Sequence, residues 1–283
     1  MIDNPYLVNG AWYKGNVHVA SDRGLGADLP TAIDRWYAAR GYSFLGISDV
    51  NTETWTYDNA ALLPLPTLAA TYPFATVLAL DMDHWLPASD LQGAVSWIAH
   101  DGGLPVLAAP LANTYSDVPA AALNVKGLFG IEVYDARLAA SDPSHADATH
   151  LWDELLSKGD HVYAFAGDDV LSLSDPATGH AWIEVLAPAN DINDLLNSIR
   201  QGAFIATTGA EFVSFRVSGT TITANAGPGT SLRFIGRGAR LLKTVSGPSG
   251  SYRANGSEGY VRVEAIGDDG SRAWSQPFFF SWH

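Results

Sequence analysis

Acidic side chains and one histidine follow several short apolar runs of this sequence, at points where buried strands would end. His18 closes the first run, Asp49 follows FLGIS, and Glu132 and Asp135 close FGIEVYDA. Strand ends of a parallel sheet meet at one edge, so these groups are expected to face one another. Clustered like charges are costly and usually serve metal binding or proton transfer. The full set is His18, Asp49, Asp81, Asp83, Glu132, Asp135, Asp168 and Asp169.

A carboxylate after a strand has a second interpretation, because it can simply cap the next helix. The number of strands that end in an acid is what favours a shared site over a series of separate caps. Other catalytic motifs are missing from the sequence. It has no phosphate-binding loop of the Gly-x-x-x-x-Gly-Lys type, no Gly-x-Ser-x-Gly elbow and no His-Glu-x-x-His pair.

Composition limits the function classes further. The chain has 283 residues, of which 47% are hydrophobic, and it contains no cysteine, which excludes disulfides, thiolate metal sites and cysteine nucleophiles. A net charge of −14 disfavours nucleic acid as a partner. No stretch approaches the roughly 20 apolar residues of a membrane span, and the first residues do not resemble a secretory signal. We therefore expect a cytoplasmic protein that acts on a small molecule or oligosaccharide, without a membrane or nucleic-acid partner; its oligomeric state is left open.

Strand and helix patterns alternate through the first two thirds of the chain. One helical pattern begins at Pro30 and ends before Gly41, and another begins at Asp191 and ends before Gly202. A third covers residues 145–158. This alternation predicts an α/β fold with parallel strands, as a distorted (β/α)7 barrel or, alternatively, an open doubly wound sheet. The apolar runs that predict buried strands are 42–48, 74–80, 104–109, 128–133, 161–166 and 203–207.

The pattern changes after residue 211. The remaining segments are rich in glycine and poor in helical periodicity, and Asp269-Gly270 between two alternating runs indicates a tight hairpin. We predict two domains, a β/α barrel over residues 1–211 and a small antiparallel β-sandwich over residues 212–283.

Six segments resemble, in order, those of the PHP (polymerase and histidinol phosphatase) family, in the branch with a C-terminal β domain. They are WYKGNVHVASD, YSFLGISDVN, GGLPVLAAP, GIEVYDA, FAGDDVL and GYVRVEAIGDDGSRAWSQPF, and the resemblance covers nearly the whole chain. It implies a distorted seven-stranded barrel that binds up to three divalent ions at its strand ends and hydrolyses phosphoesters and related bonds.

The family's metal ligands carry over only in part. By resemblance, His18, Asp49 and Asp169 match ligands, and Asp81 stands where a bridging glutamate is expected. Alkyl groups cannot ligate a metal, so we expect no metal cluster and no cofactor. His84 is considered as a relocated ligand, although a packed or rim position is favoured for it. The four positions at which the family has histidines are apolar here: Ala20, Val50, Ala109 and Leu171.

Carboxylates without a cation in apolar surroundings predict acid–base chemistry. At least one should have a raised pKa and act as a general acid, beside an ionised partner, which is the arrangement that cleaves glycosidic bonds. The leading hypothesis is a hydrolase, namely a metal-independent glycoside hydrolase; a lyase that acts on a glycosidic bond is the other possibility. Its expected catalytic pair is Asp49 and Asp169, supported by Asp81 or Asp83, with His18 orienting substrate or a carboxylate.

Aromatic and polar residues near the strand ends are candidates for substrate binding. Two tryptophans follow the acidic positions closely, and a flat indole can contact a sugar ring, although packing is an equally good explanation. The predicted substrate-binding set is Trp55, Trp85, His84, Tyr134, Glu132, Asp135, Asp168 and His180.

Two alternatives stay open. The first keeps the family chemistry in reduced form, with one Mn²⁺ or Mg²⁺ held by His18, Asp81 and Asp169 and acting on a phosphoester. The second is a non-catalytic sugar-binding or scaffolding protein that uses the strand ends only as a pocket.

Overall fold

The computed structural model of the protein describes residues 1–54, 62–72, 75–84, 87–112 and 123–280. Each predicted strand is present there, with bounds shifted by at most two residues. The strands are β1 (Ala11–Val19), β2 (Phe44–Ile47), β3 (Leu63–Pro64), β4 (Thr67–Tyr72), β5 (Ala75–Leu80), β6 (Leu104–Ala108), β7 (Gly130–Asp135), β8 (Tyr163–Gly167), β9 (Trp182–Ala187), β10 (Phe204–Thr207), β11 (Phe212–Ser218), β12 (Thr221–Ala226), β13 (Thr230–Gly236), β14 (Arg240–Val245), β15 (Ser249–Arg253), β16 (Tyr260–Gly267), β17 (Arg272–Ser275) and β18 (Phe278–Phe279). The helices are α1 (Pro30–Ala38), α2 (Leu91–His100), α3 (Ala136–Ser141), α4 (Thr149–Ser157) and α5 (Ile192–Arg200).

Helices α1, α4 and α5 form where the sequence predicts helices, with α4 beginning at Thr149, whereas α2 and α3 were not predicted. Helix α1 begins at Pro30, and Gly41 follows it in the left-handed conformation, with φ of 76°. Asp191 caps α5 by accepting hydrogen bonds from the backbone N–H groups of Asn193 and Asp194. These predictions are confirmed. The buried faces of the helices cover the sheets and leave polar residues outside.

The strands form three sheets in a mixed α/β arrangement. One sheet has the order β14-β13-β16-β17-β10-β9-β1-β2-β3 with β18 beside β16, a second is β4-β5-β6-β7-β8, and a third is β11-β12-β15. In the described part of the chain no strand ladder joins the first two sheets, and the β-bridges between them are isolated ones, Val19 to Val170 and Val50 to Ala69. The closed seven-stranded barrel is therefore not confirmed, since continuous ladders do not run around the ring.

Strand β5 is antiparallel to both of its neighbours, and this moves the residues that follow it away from the predicted site. It pairs antiparallel with β4, from Tyr72↔Ala75 to Thr67↔Leu80, and antiparallel with β6, where Leu80 lies opposite Leu104. A strand that returns through a hairpin ends at the opposite edge of the sheet. The end of β5, and Asp81 after it, therefore lies away from the ends of β6 and β7.

The C-terminal region is antiparallel, as predicted. Strands β16 and β17 pair with Ile266 opposite Arg272, and Gly270 between them has φ of 87°. The predicted boundary after residue 211 falls between β10 and β11 and stays a prediction, because the β10–β17 ladder makes one sheet continuous across it.

Buried polar contacts join this region to α4. The guanidinium of Arg262 on β16 donates to Asp153 of α4 at 2.8 and 2.7 Å, and the Tyr260 hydroxyl donates to the same carboxylate at 2.6 Å. Within the described ranges, the structure contains no helix with the length and apolar character that crossing a membrane requires.

Candidate functional site

Parallel strand ends bring one histidine and three carboxylates together. His18 lies near the end of β1, Glu132 and Asp135 lie on β7, and Asp169 follows β8 by two residues. His18 Nδ1 is 3.0 Å from Glu132 Oε1, and His18 Nε2 is 3.3 Å from Asp169 Oδ1. All four residues are buried. We call them, together with Arg137, the His18 cluster.

Asp135 has one carboxylate oxygen in use and one without a partner. Its Oδ1 accepts from the backbone N–H of Leu138 at 2.8 Å and so caps α3, whereas its buried Oδ2 has no hydrogen-bond partner among the described residues. Burial, with the negative charges of Asp169 and Glu132, raises the pKa of Asp135 to about 8. A proton or a cation is therefore favoured at this oxygen.

His18 is the group that offsets the carboxylates in the absence of an ion. Burial lowers the pKa of His18, but the negative charges of Glu132 and Asp169 and the hydrogen bond with Glu132 outweigh it, so that the pKa rises from 6.5 to about 10. The imidazole thus holds a proton more strongly than usual and donates from Nδ1 to Glu132. A divalent cation here would have to displace protons from His18 and Asp135.

Arg137 adds a fixed positive charge to the cluster. It lies on α3, and its Nε donates to Asp169 Oδ2 at 2.8 Å while Nη2 contacts the same oxygen. Asp169 therefore stands between two positive groups, with Oδ1 towards His18 and Oδ2 towards Arg137. The sequence-based prediction missed this arginine, although its place two residues after Asp135, at the start of a helix that follows a strand, is the available signal.

Two residues of the site have unusual backbone conformations. Ala109 and Asp169 have φ of 39° and 50°, which costs a residue with a Cβ about 1–2 kcal/mol. At Ala109 this conformation directs the backbone N–H to Glu132 Oε2 at 2.8 Å. Strain of this kind is kept where surrounding contacts hold it, commonly at functional sites.

A cavity of about 200 Å³ opens onto the cluster. Its charged lining comes from His18, Arg137 and Asp169, and most of its other walls are apolar. The four positions at which the family resemblance implies histidines all line this cavity: Ala20, Val50, Ala109 and Leu171. These four positions present alkyl groups to the cavity, and their replacement of metal-ligating histidines stays a prediction.

Asp49 and Asp168 are turned into internal hydrogen-bond networks. The Asp49 carboxylate accepts from Ser21 N at 2.7 Å, Ser21 Oγ at 2.5 Å and Thr54 Oγ1 at 2.6 Å, and it does not line the cavity. Five donors surround the buried Asp168 carboxylate, whose pKa burial raises: Asn16 Nδ2, Tyr37 Oη and the backbone N–H groups of Gly179, His180 and Ala181. Both carboxylates therefore stabilise loops around the site.

Asp81, Asp83 and His84 lie at the opposite end of the sheet, because β5 is antiparallel. Asp81 pairs with Arg200 of α5 at 2.5 Å. His84 lies between Asp83, at 3.0 Å, and Asp101, at 2.8 Å, in an exposed position. We call these five residues, Asp81, Asp83, His84, Asp101 and Arg200, the Asp81 group. The structure does not bring it together with His18, so an ion held by His18, Asp81 and Asp169 does not fit.

The remaining candidates lie apart from the cluster or outside the described residues. Tyr134 packs against Trp274, with ring centroids 5.8 Å apart, and the side chain of His180 is exposed. Trp55 and Trp85 fall outside the described ranges. A role in substrate binding stays a prediction for all of them.

Comparison with known proteins shows the fold. A two-domain protein from Bacteroides vulgatus, described as containing a predicted PHP-like metal-dependent phosphoesterase, is similar over 99% of this chain and 98% of its own, with 12% sequence identity and a TM-score of 0.56. A putative metal-dependent phosphoesterase from Bifidobacterium adolescentis is similar over 67% of this chain and 98% of its own, at 12% identity, but its TM-score of 0.43 is too low to add to this. No protein-family model matches the sequence, and no curated protein does either.

The likeness confirms the PHP-type fold that the six segments predict. It contradicts the glycoside hydrolase and carbohydrate predictions, since the similar structure is described as a phosphoesterase. The position of Asp49 agrees with this correction, because its carboxylate accepts hydrogen bonds from Ser21 and Thr54 and does not line the cavity. The expectation that no metal takes part has no support either.

Proposed function

We propose that the protein is a metal-dependent phosphoesterase that uses one divalent ion, Mn²⁺ or Mg²⁺, at the His18 cluster. The observation that carries this proposal is a group of ligand atoms, one each from His18, Glu132 and Asp135, that lie within 4.8 Å of one another. The description of the Bacteroides vulgatus protein supports the same chemistry.

The donor set fits a single hard cation. His18, Glu132, Asp135 and Asp169 would hold the ion, and oxygen-rich sets with one imidazole suit Mg²⁺ or Mn²⁺. The unpartnered Oδ2 of Asp135 is a free ligand atom. Three carboxylates and one guanidinium sum to −2 when His18 is neutral, so one divalent ion balances the charge. A second ion lacks ligands, because Ala20, Val50, Ala109 and Leu171 offer alkyl groups.

The residues around the ion have separate tasks in hydrolysis. A bound divalent ion supplies charge to a phosphoryl oxygen and acidifies water. Glu132 fixes the orientation of the His18 ring through Nδ1, and is itself fixed by the N–H of Ala109. Asp169 holds the Arg137 guanidinium at the edge of the cavity, where it can contact phosphate. The apolar walls limit the water around the reacting group.

The test measures Mn²⁺ binding and phosphoester turnover on the same protein and asks whether turnover depends on the bound ion. Protein freed of metal by chelator is titrated with Mn²⁺ by calorimetry and assayed on a panel of phosphomonoesters and phosphodiesters. We expect one ion per chain, with turnover that appears as the ion binds. Glu132→Gln should weaken Mn²⁺ binding and turnover by about 100-fold or more. Asp83→Asn in the Asp81 group is the matched control and should change neither.

Two results would overturn the proposal. Turnover that persists in excess chelator would reject the metal, and a fully loaded protein that hydrolyses no ester on the panel would reject the reaction and favour a binding protein.

A further inference from the structure

We propose that the substrate is a phosphomonoester of a compact apolar alcohol, with its phosphate held by Arg137 and its alcohol part against the apolar wall of the cavity. This rests on the proposed function and specifies the substrate class of the same site. The apolar wall is defined as Ala20, Val50, Ala109 and Leu171, which all line the cavity.

Arg137 has the position of a second cation. In sites with two metal ions, the ions lie on either side of the reacting phosphoryl group. Here Asp169 contacts His18 through Oδ1 and Arg137 through Oδ2, so one carboxylate links the ion-binding cluster to a guanidinium. A fixed guanidinium supplies positive charge without imidazole ligands, which agrees with the apolar replacements.

The guanidinium also has donors left for a ligand. Asp169 takes Nε and one N–H of Nη2, and no other hydrogen bond of this side chain occurs within the described residues. The side chain is 35% exposed, and Arg137 lines the cavity. A planar guanidinium binds phosphate oxygens through paired N–H groups, which a lysine cannot reproduce.

The cavity selects a small organic group. Its volume of about 200 Å³ lies below the roughly 300–1,000 Å³ of pockets for drug-sized ligands. A phosphate with one short substituent fits inside this space as its described residues line it, whereas a diester with two substituents or a nucleotide would extend out of it. The proposed substrate is accordingly a monoester.

The walls favour an apolar group over a sugar. The hydroxyls of the described lining have partners in the protein: Ser48 Oγ contacts the backbone of Val19, Thr71 Oγ1 lies 3.2 Å from Thr76 Oγ1, and the Tyr72 hydroxyl donates to Ala88 O at 3.5 Å. A ligand hydroxyl against the apolar wall would lose its bonds with water without gaining new ones. Each added methylene, in contrast, should tighten binding by about threefold to fourfold until the space is filled.

The experiment measures binding of phosphonates, which are not hydrolysed, so that it is independent of turnover. Methyl-, ethyl-, propyl- and butylphosphonate, with 2-hydroxyethylphosphonate as the polar analogue, are titrated by calorimetry into the full chain, with and without saturating Mn²⁺. We expect affinity to rise about threefold to fourfold per methylene up to a limit, with no gain for the hydroxylated analogue. Leu171→Ala should move that limit to a longer chain.

Variants of two arginines separate a specific phosphate contact from general charge. Arg137→Gln and Arg137→Lys should both weaken every phosphonate by about tenfold or more, because Lys lacks the paired donors. Arg200→Gln removes the equivalent positive charge from the Asp81 group and should leave the affinities unchanged.

Different results overturn the two proposals. Phosphonate affinities that ignore chain length, or that stay within twofold in Arg137→Gln, would overturn the substrate class even if Mn²⁺ binds and esters are hydrolysed. A protein that takes up no Mn²⁺ and hydrolyses no ester would overturn the phosphoesterase, whereas the phosphonate series measured without Mn²⁺ would still decide whether the cavity binds a phosphate group with a short apolar substituent.

Discussion

The two ends of the β4-β5-β6-β7-β8 sheet have the same residue types nearby, in different surroundings. At one end His18 lies between Glu132 and Asp169, and at the other His84 lies between Asp83 and Asp101. Each end also has an arginine paired with an aspartate, Arg137 with Asp169 and Arg200 with Asp81. The side chains of His18 and Glu132 are 10% and 0% exposed, whereas those of His84 and Asp83 are 48% and 67% exposed.

The two ends therefore differ in burial and not in residue type, and the candidate metal site is at the buried end. Charges in water are screened and interact weakly, so the ion pairs of His84 with Asp83 and Asp101 contribute little to stability. Buried carboxylates that face one another repel strongly, and a proton, a cationic side chain or a metal ion has to offset this repulsion. We therefore propose an ion at the His18 cluster and none at the exposed Asp81 group.

Removing the two histidines should give the largest contrast in stability. In chelator, His18→Ala leaves three buried carboxylates without their nearest cation and should lower the free energy of unfolding by about 3–5 kcal/mol. His84→Ala should change it by less than about 1 kcal/mol, because its partners stay solvated. Urea denaturation of both variants measures this, and equal effects would break the comparison between the two ends.

The pH dependence of stability should come from the buried end. The folded-state pKa values of His18 and Asp135 are raised to about 10 and about 8. Each group therefore stabilises the fold fully below its unfolded pKa, and that stability is lost as pH rises through the folded pKa. Between about pH 6.5 and 8 both are protonated mainly in the folded state, so stability in chelator should fall by about 2 kcal/mol per pH unit.

Two further measurements sharpen this prediction. Saturating Mn²⁺ should raise the melting temperature and oppose its fall with pH, because ion binding releases the same protons. Asp135→Asn should flatten the profile in chelator, and His84→Ala should leave it as in the parent protein. A profile in chelator that rises from pH 6.5 to 8 would show that the His18 cluster does not hold these protons.

The smallest effect is expected at the exposed ion pair. Arg200 and Asp81 are 36% and 32% exposed, so Arg200→Ala should cost only about 0–1 kcal/mol and less in high salt. Unfolding curves at low and high salt check this. A loss of several kcal/mol would mean that the Asp81 group is as strongly coupled as the His18 cluster.

The elements were predictable because they follow from local patterns. Helical spacing with caps at Pro30 and Asp191, and the Asp269-Gly270 hairpin, need no tertiary information. Strand-end positions also placed Glu132 and Asp135 beside His18, since β7 and β8 are parallel and follow that rule.

Strand direction was not predictable in the same way. The run TLAATY of β4 was not among the predicted strands, and without it β5 cannot be seen to return through a hairpin. Asp81 was therefore expected at the wrong edge. The pairing of Asp49 with Ser21 and of Asp169 with Arg137 depends on tertiary contacts that residue spacing does not contain.

The central claim is that one divalent ion binds at the His18 cluster, and anomalous diffraction tests it most directly. Crystals of the unmodified protein are soaked in Mn²⁺, and data are collected at the manganese edge. The account predicts one strong peak per chain within bonding distance of the His18 ring and of carboxylate oxygens of Glu132, Asp135 or Asp169. No peak at the cluster, or a pair of peaks about 3.5–4 Å apart as in two-metal sites, would contradict it.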